Sequence, residues 1–410
     1  MLRILFALAI VGLFVNAVAA LPGSGTQQDP WRIESLEDFN DFAADANYWA
    51  GYTRLETDVN LAGLTYTTAV IAPDASSGYP FDGTVFNGVF DGNDHIIHNA
   101  EVYMPSSNYA GLFGYVGSTG RIHNLNLEGV TITGDTHAGV LAGVNEGGIT
   151  DCSTSGSVEG TEEGDNIGGL VGTSLGSITD CYSTCSVNGI DEYDNMGGLV
   201  GFNSGSITDC YASGNIDASD GFRVGGLVGM NEGSLAGCYS TGSVRSESGA
   251  GGLVGRNLSG SITDCYATSR VEGDFEVGGL LGSNRAIVSN CYSTGDVNGV
   301  DVVGGLVALN SGSVSNCFWD TDTQTYGVTE SIGENLGTAT NVAGLPTTQL
   351  QTKSTFTDAG WDFVEIWNIG ENQTYPYLRV HPAGDINHDN IVNMLDVAIF
   401  ADNWLEGMLH

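Results

Sequence analysis

The chain has 410 residues, with 11 Lys and Arg against 49 Asp and Glu, a formal charge of −38. That excess of acid excludes nucleic acid and anionic membrane as partners, because both need clustered cations to neutralise phosphate. With 61 Gly but only 8 Pro, and 41% hydrophobic residues, the chain is neither collagen-like nor a disordered polymer.

Residues 1–20 hold one Arg, Arg3, an apolar run from Ile4, and the small residues Ala17-Val18-Ala19-Ala20. This is the layout of a secretory signal peptide, and the run is short for a membrane span. It predicts an exported, extracellular or cell-surface chain of bacterial type, with no transmembrane anchor once the segment is removed. Residues 21–50 follow as an N-terminal cap, because Ser35-Leu36-Glu37-Asp38-Phe39 starts a helix with a capping-box pattern and helical apolar spacing. Residues 51–137 read as non-repetitive β-helix coils. A unique site would lie there, with Asp82, Asp91, Asp94, His95 and His123 available, although no constellation among them stands out.

From residue 138 to 320 the chain is a repeat. Gly168-Gly169-Leu170-Val171-Gly172 recurs at residues 197–201, 225–229, 251–255 and 278–282, with a weaker copy at Ala138-Gly139 and a last one from Gly304. Cys152, Cys181, Cys210, Cys238, Cys265, Cys291 and Cys317 keep the same register. Each copy holds three short apolar runs separated by turn residues and has no helical period, so it reads as three strands. A unit this small cannot bury its apolar face alone, and neighbours must stack. The predicted fold is therefore all-β: a parallel β-solenoid, a right-handed β-helix, with one copy per coil and coils about 4.8 Å apart. Length variation between copies is expected in one loop, between the Val/Ile strand and the next Gly-Gly.

In-register residues carry further expectations. Asn145, Asn203, Asn231, Asn257, Asn284 and Asn310, with Ser174 in the second copy, are expected at turns with left-handed backbone and in a hydrogen-bonded ladder. The ladder cysteines read as buried thiols, because coil spacing exceeds the Cβ separation of a disulfide; Cys185, out of register, is the expected exception. Tyr182, Tyr211, Tyr239, Tyr266, Tyr292 and Phe318 follow the Cys and read as a self-stacked ladder or as a stripe for sugar rings. Asp151, Asp180, Asp209 and Asp264 precede it, and like charges at that spacing would raise one another's pKa. Acidic loops at Glu162, Glu163, Asp165, Asp191, Glu192, Asp194, Asp274 and Glu276 read as a solubilising rim.

The pattern, best kept in residues 168–189 and 197–216, resembles the GLUG repeat of exported bacterial surface proteins and some immunoglobulin A peptidases. The resemblance implies a β-helix with a surface role and no catalytic residue in the motif. No HExxH accompanies it: His95-Ile96-Ile97-His98 lacks the Glu.

Residues 321–380 are predicted to close the array, with a short helix over Thr347–Phe356 and an aromatic lid of Trp361, Phe363, Trp367, Tyr375 and Tyr377. Residues 383–410 hold the sharpest site. Asp385, Asn387, Asp389, Asn393 and Asp396 fall at positions 1, 3, 5, 9 and 12 of a calcium loop, with the Ile391 carbonyl at position 7. The amphipathic run from Leu395 to Trp404 follows. The terminal Asp and Val397-Ala398-Ile399-Phe400 resemble a dockerin, which implies Ca2+ as cofactor, a small α-helical tail and a cohesin-like or surface partner; a dockerin has two such loops and this chain shows one.

Two functions follow as expectations. One is a non-catalytic exported solenoid for adhesion, matrix or glycan contact, attached through the calcium loop. The other is a polysaccharide-active β-helix lyase or glycosidase, or its carbohydrate-binding partner. Such chemistry needs converging carboxylates or a base beside calcium, whereas the repeat spreads its carboxylates one per coil.

Overall fold

The computed structural model describes residues 20–76, 80–161, 164–189 and 194–379. The signal-peptide segment and the calcium loop, with its six ligand positions, lie outside the described residues.

The chain winds as a parallel β-solenoid. One nine-stranded sheet takes one strand from each coil: Phe113–Val116, Ala142–Asn145, Val171–Ser174, Val200–Asn203, Val228–Asn231, Val254–Asn257, Leu281–Asn284, Val307–Asn310 and Ile332–Asn335. The other faces merge into one larger sheet. Register follows the repeat residue by residue: Val171 pairs with Val200, Ile178 with Ile207, and Val187 with Ile216. Val, Ile and Leu at these positions are fully buried and form one core along the whole axis.

Each coil breaks into more pieces than the apolar runs imply. Between residues 165 and 188 there are five short segments, Asp165–Gly168, Val171–Ser174, Ser177–Thr179, Tyr182–Ser183 and Ser186–Asn188, where three strands are expected. The corner between the first two is the Gly-Gly. A Cβ on Gly168 would lie 2.1 Å from the Val171 carbonyl oxygen, and one on Gly169 2.2 Å from that of Gly198, so no larger residue fits. The length variation sits where expected, but much of it is bulged strand rather than loop. Ile216–Gly225 pairs with Val244–Gly251 through a register shift between Ala218 and Phe222.

Three ladders run along the axis. The Asn side chains are fully buried, and each amide donates to the next carbonyl oxygen: Asn203 to Asn231 (2.8 Å), Asn231 to Asn257 (3.0 Å), Asn257 to Asn284 (2.9 Å) and Asn284 to Asn310 (2.9 Å). Their backbones are not left-handed, contrary to expectation. Left-handed φ instead falls on the residue before each Cys, Asp151, Asp180, Asp209, Asp264, Asn290 and Asn316, at +50° to +53°, with Gly237 at +62°. Asp, Asn and Gly share that position because they tolerate this backbone, which explains the acids there better than a charge ladder does. All eight cysteines, Cys185 included, are buried free thiols. Burial pushes the Cys181, Cys238 and Cys291 thiols up.

The tyrosines form the self-stacked ladder. Successive ring centroids from Tyr182 to Tyr292 are 4.8, 4.8, 4.8 and 5.0 Å apart, with planes within 7° of parallel. Burial deepens along it, from 37% exposed at Tyr182 to 1% at Tyr292, and raises the Tyr239 pKa to about 12.

The N-terminal cap forms as predicted. Helix Leu36–Ala44 is capped by the Ser35 hydroxyl, which accepts from the Asp38 amide, and it buries Phe39 and Phe42 against the first coils. The C-terminal module differs. The single predicted helix is two one-turn helices, Thr347–Leu350 and Lys353–Thr357, and the aromatics do not lid the end of the solenoid. They lie on its flank: Trp361 and Trp367 pack on Tyr292, and Trp367 also on Tyr266. The outermost strands, Ile332–Asn335 and Thr338–Leu345, pair on one side only among the described residues, and Leu336 there is 69% exposed. The Tyr ladder supplies a large apolar flank and attracts the aromatics, which leaves the terminal edge without these rings.

Candidate functional site

Two rows of residues on one face of the solenoid define a cleft. The first lies on the nine-stranded sheet, where Tyr115, Val144, Thr173, Phe202, Met230, Arg256, Ser283 and Leu309 occupy equivalent positions in successive coils. The second lies two residues before each repeat Gly: Tyr109, His137, Asn166, Asn195, Arg223, Gly249, Glu276 and Val302, all with φ between +51° and +68°. That backbone is uncommon for Arg and Glu and strained for a β-branched Val. It turns the chain toward the sheet and sets the second row beside the first.

The N-terminal half of the cleft encloses about 690 Å³, within the range of small-molecule sites. Phe81 and Tyr115 form one wall, with ring centroids 4.8 Å apart, and Tyr109 meets the Phe81 edge at 5.2 Å. Tyr109 also stacks on the His137 ring at 5.2 Å. Phe202 and Met230 continue the apolar lining.

Polar groups are few and placed. The Tyr115 hydroxyl donates to Glu146 Oε1 at 2.8 Å. His137 Nδ1 and the Thr173 hydroxyl are 2.7 Å apart, and Asn195 Nδ2 donates to Asn166 Oδ1 at 3.0 Å. Asn195 is 8% exposed, and its Oδ1, buried in the cleft lining, has no hydrogen-bond partner among the described residues. Such an acceptor is costly to leave unmatched.

Burial pushes the His137 pKa down to about 4, so the ring is neutral at physiological pH. A histidine with a lowered folded pKa binds its proton more readily when unfolded, so stability falls as pH drops from about 6.5 toward 4. At pH 5 the loss from this group is about 2 kcal/mol relative to pH 8. Replacing it, His137→Asn, should flatten that segment of the pH–stability profile in chemical denaturation.

The residues expected to harbour a unique site do not converge here. Asp91 and His123 pair at 3.3 Å on the other sheet, and His95 pairs with Asp58 at 3.0 Å just ahead of two of its strands. Asp82 accepts from the Ala75 and Ser76 amides in a loop, and Asp94 is a left-handed turn residue. Glu276, expected on a solvated rim, lines the cleft instead. The cleft residues escape a reading by repeat because their chemistry changes from coil to coil. The signal was the position itself, two residues before each repeat Gly, in Asn166-Ile167-Gly168 and Arg223-Val224-Gly225.

Among the described residues no group of three or more His, Cys, Asp or Glu is placed to hold a metal ion, and no helix is long and apolar enough to cross a membrane.

Residues 193–217, 220–245, 246–272 and 273–298 each match the model of the GLUG motif. Over 155 residues the chain is 36% identical to "Halomucin" of Haloquadratum walsbyi, covering 37% of this chain and 2% of that protein. Over 139 residues it is 30% identical to a "Putative Gly-rich membrane protein" of Evansella cellulosilytica, covering 32% of this chain and 15% of that one. The matches thus span a small fraction of these relatives' lengths. Among solved structures, a "putative immunoglobulin A1 protease" from Bacteroides ovatus aligns with a TM-score of 0.45 and 19% identity, over 87% of this chain and 94% of that chain. The cleft residues Asn195, Phe202, Arg223, Met230, Arg256 and Glu276 lie within these four GLUG motif matches.

Proposed function

We propose that the protein is an exported, non-catalytic surface solenoid that holds a glycan in the axial cleft, for adhesion or matrix contact. The observation that carries this reading is the lining: aromatic side chains of Phe81, Tyr115 and Phe202 beside the amides of Asn166 and Asn195. A pyranose offers C–H faces to aromatic rings and hydroxyls to side-chain amides. The cleft is open along the axis and built on rigid strands, so it suits a chain better than a compact metabolite. Attachment is assigned to the calcium loop of Asp385, Asn387, Asp389, Ile391, Asn393 and Asp396, with a cohesin-like or surface protein as partner.

Glycan-array binding with the full chain tests the first part. Retention of glycans without turnover, weakened about tenfold by Phe202→Ala, is the expected result. No retention, or retention indifferent to Phe202, overturns it. The polysaccharide-lyase or glycosidase reading draws on Tyr115 and Glu146, hydrogen-bonded at the cleft wall as an acid–base pair. Glu146 is the single carboxylate among the described lining of this half, where glycoside hydrolysis ordinarily uses two. Unsaturated or reducing-end products in the same incubation would favour it. For the attachment, calorimetry of the full chain should show one Ca2+ site that disappears in the Asp385→Ala, Asp389→Ala double variant.

A further inference from the structure

The C-terminal half of the same cleft has a different chemistry. One coil beyond Met230 the sheet row changes from apolar to Arg256, and the facing row changes from Asn195 to Arg223. Arg285 joins them at the next corner, so three of the chain's 11 Lys and Arg line one cavity of about 190 Å³. Glu276 is the one carboxylate among the described residues of that lining, leaving them net positive in a protein of charge −38. Ser248, Ser283 and Ser311 add hydroxyl donors. Gly249 stands between Arg223 and Glu276 in the left-handed row and contributes no side chain, which keeps the cavity open between them.

A cluster of guanidinium groups against this background is specific for an anion. Each offers planar paired donors matched to a carboxylate or sulfate, and the field reverses locally while the rest of the surface repels. The net charge also limits what can enter. A dense polyanion would be repelled along its whole length, whereas an isolated acidic group within a neutral chain meets only the local field, since distant charges are screened beyond about 8 Å at physiological salt.

We propose that Arg223, Arg256 and Arg285 form a subsite for the acidic group, carboxylate or sulfate, of a sugar residue in an otherwise neutral glycan whose neighbouring units lie in the aromatic half of the cleft. This rests on the glycan reading above and names its ligand class. Successive coils advance by about the 4.8 Å spacing of the ring ladder, close to the length of one pyranose unit, so the two halves are spaced for adjacent sugars of one chain.

The test uses the full chain at physiological salt with matched probes: glucuronoxylan against its carboxyl-reduced form, and a sparsely sulfated galactan against its desulfated form. Preference for one acidic form over its neutral match by at least about tenfold, lost in Arg256→Ala and in Arg285→Ala, is expected. Arg285 is exposed and its replacement should leave the thermal unfolding profile unchanged, which separates a lost contact from a lost fold. Which acidic probe is preferred distinguishes carboxylate from sulfate. Equal binding of acidic and neutral forms, or preference untouched by both substitutions, overturns the subsite while leaving glycan binding intact. Failure to bind any glycan in these pairs or on the array overturns both.

Discussion

Asn257→Asp should destabilise the solenoid by at least about 4 kcal/mol, more than Asn257→Ala. The Asn257 side chain is fully buried; its carbonyl accepts from Asn231, and its amide donates to Asn284 and to the Gly260 carbonyl. An ionised carboxylate would still accept from Asn231, but it would face the Asn284 oxygen and the Gly260 carbonyl with no hydrogen to offer. Two acceptors and a charge would then share a dry turn. Protonation relieves this only at a cost equal to the pKa shift, so the variant should recover part of its stability in acid, opposite to the trend from His137. Alanine leaves two ladder neighbours without one partner each, at about 1–3 kcal/mol apiece. Both neighbours keep a second bond, Asn231 to Gly233 and Asn284 from Ala286, which holds the loss near the lower end. Denaturant melts of the two variants, followed by far-UV circular dichroism, give the comparison. Equal losses would show that the ladder tolerates a buried charge.

Trp367→Ala should release the flanking module without unwinding the coils. Trp367 is fully buried, packs against Trp361 at 4.7 Å and donates from Nε1 to Asp264 Oδ1 at 3.1 Å. Deleting such a ring costs about 3–5 kcal/mol. It would also remove a donor from the half-buried Asp264, whose carboxyl burial already holds above the usual range. The module's own regular structure is small: two one-turn helices and the short hairpin pair of Trp367–Asn368 with Tyr377–Leu378. It depends on the Tyr ladder for its core, while the coils depend on one another. Amide exchange should therefore accelerate across residues 346–379 and stay slow at the Asn ladder. Uniform acceleration over both regions would show that the module and coils unfold as one unit.

The fold was legible because stacking imposes one rule on every coil. Residues that bury, such as Val171, Val200 and Val228, must repeat, and so must corners such as Gly168-Gly169. Backbone conformation was harder to read. Asn145 and Asp151 both suit a left-handed turn, and residue type alone could not tell that only Asp151 adopts one. The C-terminal aromatics were recognised as a cover, but an open strand edge and an aromatic flank both attract rings, and only the packing of Trp367 on Tyr266 and Tyr292 decides between them. The cleft was the least legible part. Its residues occupy positions where the repeat constrains the backbone and leaves the side chain free, so His137, Asn166, Asn195 and Arg223 share a φ and little else.

That freedom makes the solenoid a ruler. Each copy brings one mark to the sheet row and one to the left-handed row, and it moves everything after it by a single coil. Duplicating the copy at residues 195–222 would slide the three arginines together one step from Phe81 and Tyr115 and alter neither group. Recognition length is thus set by counting whole repeats, and recognition chemistry by two letters in each.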